Sequence, residues 1–162
     1  MRGTVVILLC PLLISAAAVE VPLSPSVTLL LPEGLDACLY PGYGGALAIV
    51  ELAYAETGKP FASGAVEEGP DYESAPDAAD LAALLSRRFP SLKPESLVDA
   101  RAGGEEGRLF RLEAYPKGGF YTCRIVGAYY TPAGCFVIDF AATAPRSEAI
   151  KALAALDFRA GD

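Results

Sequence analysis

The 162-residue chain contains no histidine and no tryptophan, and neither asparagine nor glutamine occurs in it. Histidine is the side chain whose unperturbed pKa lies near neutrality. Its absence excludes Ser-His-Asp and Cys-His nucleophilic sites, His-ligated zinc and imidazole acid–base catalysis. Without asparagine there is no N-glycosylation acceptor. The missing amides deamidate when hot, and nine of the 13 basic residues are arginine, which fits a GC-rich, thermophilic bacterial source. Base composition alone accounts for the abundant Ala, Arg, Gly and Pro, but not for the loss of every Gln and His.

Positive charge is also scarce: 13 basic residues face 20 acidic ones, for a net charge of −7. An acidic surface repels nucleic acid and anionic lipid, so no nucleic-acid partner is expected. No C-x-x-C pair, phosphate loop, dinucleotide fingerprint, G-x-S-x-G elbow or S-x-x-K pair is present. No cofactor, no metal and no catalytic residue is therefore expected. The acidic tract Glu67-Glu68 with Asp71 and Glu73 reads as a solvated loop, with weak calcium binding as the alternative.

The N-terminus has the pattern of an export signal. Arg2 is followed by the apolar run Val5 to Ile14 and by small residues from Ser15 to Ala18. Ala16 and Ala18 satisfy the A-x-A rule, which places cleavage after Ala18. Residues 1–18 are then a signal peptide, 19–162 one globular domain, and the location extracytoplasmic, periplasmic or secreted. The apolar run is shorter than the ~20 residues of a bilayer span, so no stable span should remain after cleavage. An uncleaved N-terminal anchor is the alternative.

The remaining chain predicts one α+β domain. Val27 to Leu31 and Ala46 to Tyr54 read as strands. Glu56 to Tyr72, rich in Gly, Pro and acid, reads as a loop. A helix is predicted to begin at Ser74 and run from Pro76 to Arg88, with Ala78, Leu81, Ala82 and Leu85 on its apolar stripe. Four strands follow from Ser96 to Ala142, and a last helix spans Pro145 to Ala155. If Thr131 to Gly134 is a three-residue hairpin loop, Thr131 faces Cys135 and Val126 faces Phe140. With Tyr115 opposite Phe120, Leu109 faces Val126. Both faces of that sheet are mainly apolar and need covers, and the two helices supply them. The expectation is a single antiparallel sheet flanked by helices on both faces, an α/β/α sandwich.

Those registers place Arg108, Gly127 and Asp139 in one cross-strand row, which predicts an Arg108–Asp139 structural ion pair. The alternative for Asp139 is a catalytic acid in a cleft. Tyr40 and Tyr43 flank Pro41-Gly42 and are candidate partner-binding aromatics, with ordinary edge packing as the alternative. Three cysteines lie beyond residue 18: Cys38, Cys123 and Cys135. Export makes a disulfide plausible. Cys123 and Cys135 fall on one face at opposite ends of the hairpin, roughly 26 Å apart, which leaves Cys38–Cys135 as the preferred pair if the first and last strands are antiparallel neighbours, and Cys38–Cys123 if they are parallel.

The strand ending in Leu31-Pro32-Glu33-Gly34, the meander and the Leu156 to Arg159 tail resemble the PsbP-like family of α/β/α sandwiches, which includes bacterial envelope proteins of the DcrB type. The resemblance implies a non-catalytic accessory or assembly role, with an envelope protein or small ligand as partner. The competing reading is a carboxylate-dependent hydrolase of envelope polymers, which would need two facing carboxylates in a pocket.

Overall fold

Short apolar alternations bounded by turns become strands in the computed structural model, which describes residues 19–92, 97–100, 107–115 and 118–161. In chain order the elements are β1 (Val19–Ser24), β2 (Val27–Leu31), β3 (Leu35–Pro41), β4 (Ala46–Tyr54) and β5 (Lys59–Glu68). Then follow α1 (Ala78–Arg88), β6 (Leu97–Ala100), β7 (Arg108–Ala114), β8 (Cys123–Thr131), β9 (Gly134–Ala142), α2 (Arg146–Ala154) and β10 (Asp157–Ala160). Seven strands form one sheet in the order β3-β4-β5-β9-β8-β7-β6, and three form a second in the order β1-β2-β10. Every pairing among them is antiparallel.

The single helix-flanked sheet is thus corrected to a mostly β fold with two sheets. One face of the large sheet presents Phe110, Ile125, Tyr129, Phe136, Ile138 and Phe140. These pack with Leu29 and Leu31 of β2 and Phe158 of β10, so the small sheet is a principal cover. The second helix adds only Ala149 and Leu153 as fully buried side chains. The opposite face presents Leu109, Val126, Ala128 and Val137 to Leu81, Leu84 and Leu85 of α1. That helix lies over β7 and β8. Beyond it the same face carries the half-buried Ile49, Glu51, Ser63 and Ala65.

Helix α1 starts later than its sequence suggests. Asp77, not Ser74, is the N-cap, and its side chain accepts from Ala79 N and Asp80 N at 2.7 and 2.9 Å. Asp80 reciprocates by accepting from Asp77 N at 3.1 Å, completing a capping box. Arg87 and Arg88 complement the negative end of the helix dipole.

The segment 56–72 is not a loop. Its residues Lys59–Glu68 form β5, which lies between β4 and β9 near the middle of the large sheet. Ala62-Ser63-Gly64-Ala65 has weak strand propensity, but Phe61 and Val66 are buried and anchor it. Small residues are required here because a Cβ at Gly64 would strike the Asp139 carbonyl and sit 2.6 Å from Phe140 Cα.

The hairpin between β8 and β9 has a two-residue loop, Pro132-Ala133, so Thr131 faces Gly134 and Tyr130 faces Cys135. Gly134 adopts φ 124°, which glycine alone accepts without strain. Thr131 Oγ1 closes the turn, accepting from Ala133 N at 3.2 Å and donating to Gly134 O at 3.3 Å. One residue of slip exchanges the faces of a strand. Val126 therefore opposes Asp139 rather than Phe140. On the other side Tyr115 N donates to Thr122 O, two residues beyond the expected partner Phe120, and Leu109 opposes Ala128.

Candidate functional site

The residues singled out from the sequence are dispersed. Arg108 and Asp139 lie on opposite faces of the large sheet, because the two register changes do not cancel. Asp139 is held by Arg124 in a bidentate pair, Nε–Oδ1 and Nη2–Oδ2 both 2.7 Å. That guanidinium lies 5.4 Å from the Phe89 ring centroid, and its bond to Asp139 raises its pKa. Arg108 instead meets Asp157 at 3.2 Å, donates to the Ala154 carbonyl and lies over the Tyr129 ring. The pairing at Asp139 is structural in kind, but its partner is different.

Tyr40 and Tyr43 are exposed, on edge strand β3 and in the turn after it. Cys38 is exposed on the same strand, while Cys123 and Cys135 are buried, and all three are free thiols. The Cys38–Cys135 disulfide is not formed. Through Glu51 and Ser63, Cys38 aligns with Ala141, three strands from β9 and six residues from Cys135. That is roughly 14 Å across and 20 Å along the sheet, against a Cα separation of about 5.5–6 Å for a disulfide. Cys123 and Cys135 stand on opposite faces, not on one.

This arrangement predicts thiol reactivity. Of the three thiols in residues 19–162, only Cys38 should react rapidly with a maleimide in the native protein. Cys135 is shielded, and burial pushes its thiol up to about 11. Labelling followed by peptide mass mapping checks this; rapid native modification of Cys123 would contradict the packing.

A different set of residues does come together. Where β5 ends, Gly69 N donates to Cys135 O at 2.8 Å and turns the chain across the β8–β9 hairpin. Gly69 packs closely there: a Cβ would lie 2.6 Å from Cys135 Sγ, so a larger residue would have to displace that thiol. The turn delivers Asp71 and Tyr72 to the rim of a cavity of about 390 Å³, also lined by Tyr130, Thr131, Pro132, Gly134 and Cys135. The Tyr72 and Tyr130 rings meet edge to face, centroids 6.2 Å apart at 89°. Tyr72 is anchored between α1 and β9. Its hydroxyl is shut away from solvent without a hydrogen-bond partner among the described residues, and burial raises its pKa.

A smaller apolar hollow of about 250 Å³ lies in the β7–β8 connection, lined by Tyr115, Gly119, Phe120 and Tyr121. Phe120 is 80% exposed at its rim, where an ordinary strand position had been expected.

The larger cavity escaped the sequence reading because its parts are far apart along the chain. Asp71 was placed in an acidic loop and Tyr130 in a strand, and the strand that joins them, β5, was not recognised. The only local clue is Gly69-Pro70 before Tyr72, a turn signal without a destination.

Among the described residues no group of three or more Cys, Asp or Glu is arranged to hold a metal ion. No described helix is long and apolar enough to cross a membrane. Neither a family model, nor a curated protein, nor a solved structure matches the chain.

Proposed function

We propose that the chain is a non-catalytic binding module that works outside the cytoplasm, as an accessory protein of the bacterial envelope, and that the cavity beside the β8–β9 hairpin is its ligand site. The observation that carries this reading is the cavity itself: a concave, partly apolar pocket with two convergent tyrosines, the usual form of a small-molecule site. Its chemistry favours binding over turnover. The Cys135 thiol is protonated at neutral pH and so is a poor nucleophile. Asp71 is the one carboxylate among the described lining residues, whereas glycoside cleavage calls for two facing acids. The export pattern of residues 1–18 supports the location.

The test is a small-molecule screen on isotopically labelled protein, read by amide chemical shifts. A ligand should move the Gly134 and Cys135 amides and leave those of β3 in place. Shifts confined to Tyr40 and Tyr43, or release of product from envelope polymers, would overturn the reading.

A further inference from the structure

We propose that the cavity selects small organic cations, substituted ammonium groups carried on a compact apolar body. This inference rests on the binding reading above and names its ligand class. The Tyr72 hydroxyl is enclosed and out of reach, so that residue contributes ring carbon to the lining and not a donor. Thr131 Oγ1 is consumed by its own turn. Cys135 contributes a neutral thiol, and Pro132 and Gly134 contribute no side-chain polar group.

Asp71 is the one charged side chain on the lining among the described residues. It is exposed and forms no ion pair among the described residues. The charged groups acting on Tyr72 from α1 are Asp80 and Arg87, of opposite sign. Asp71 lies on the lining itself and makes the pocket's rim negative, in a chain whose net charge is −7.

Aromatic faces attract cations through their quadrupole, and a nearby carboxylate adds to the attraction. An anionic ligand would meet Asp71 with no cation among the described lining residues to offset it. A neutral polar ligand could use the Tyr130 hydroxyl and the backbone of the hairpin, but it would draw nothing from the charge of Asp71. An alkylammonium matches both parts of the wall, its charge beside Asp71 and its methyl groups against Tyr72 and Tyr130.

The probe pair is choline and its neutral isostere 3,3-dimethylbutan-1-ol, titrated into labelled protein with the Gly134 and Cys135 amides as reporters. Choline should bind about tenfold more tightly, the selectivity of one cation–π contact joined to one exposed charge. Asp71→Asn, at an exposed position, should reduce that preference severalfold with the rest of the amide spectrum unchanged. Equal affinity for the two probes overturns the cationic specificity while leaving the cavity a binding site. If neither probe moves the reporter amides, the inference also fails; the binding reading fails with it only if the wider screen is silent at the same amides.

Discussion

Phe158→Ala is expected to destabilise the protein by about 3–5 kcal/mol, the range for deleting a fully packed aromatic ring. Phe158 is 3% exposed. Its ring stacks on Phe136 with centroids 4.3 Å apart at 15°, and meets Tyr129 edge-on at 5.2 Å. Those two rings belong to the large sheet, so Phe158 is the point at which β10 fastens one sheet to the other. Truncation leaves a hole bounded by both sheets, which neither can close without moving as a body. A domain of this size has about 5–15 kcal/mol in all, so the loss is a large fraction of the total. The neighbouring Arg159 faces outward and pairs with Glu20 at 2.7 Å, both about half exposed. Arg159→Ala should therefore cost less than about 1 kcal/mol. Urea unfolding of both variants measures the contrast, and a Phe158→Ala cost below that of Arg159→Ala would mean that the small sheet does not seal the core.

Gly64→Ala should be nearly as damaging, at about 3 kcal/mol, the upper end of the overpacking range. Most overpacked sites relax by turning a side chain. At Gly64 the obstacle is backbone, the Asp139 carbonyl and Phe140 Cα of β9. Only separation of β5 from β9 can make room, and that pairing joins the two halves of the large sheet. Ser63→Ala, one residue away on the half-buried face, serves as the control and should change stability by less than about 0.5 kcal/mol. Thermal unfolding of the pair checks this. A Gly64→Ala midpoint equal to that of Ser63→Ala would show that the two strands are not in close contact there.

The same two positions show what the sequence discloses and what it hides. Strands with strong side chains were legible: Ala46–Tyr54 and Val27–Leu31 have their expected bounds. The α1 helix was legible from its leucine spacing, although its cap was placed three residues early. Strand β5 was not legible, because its centre is made small by a contact with a residue 75 positions later. Nothing within β5 records that contact. The hairpin registers were missed for a related reason. Thr131-Pro132-Ala133-Gly134 suits both a two-residue and a three-residue loop, and the choice between them inverts a whole strand. Asp139 pairs with Arg124, whereas the inverted register assigns it Arg108. The cavity was least legible of all, since it depends on β5, on the hairpin and on the turn at Gly69 together.

Strand β2 lies between β1, its immediate predecessor, and β10, from the end of the described chain. Leu29 has Val21 on one side and Phe158 on the other. A ribosome releases these partners at very different times. Once residues 19–31 have emerged, β1 and β2 can form only a hairpin, and an isolated two-stranded hairpin is marginal in water. The third strand is made nearly 130 residues later. Until then Leu29, Leu31 and the facing side of the large sheet have no seal, and closing so long a loop is slow. This face of the core thus remains open until β10 is made, and it locks when β10 joins β2.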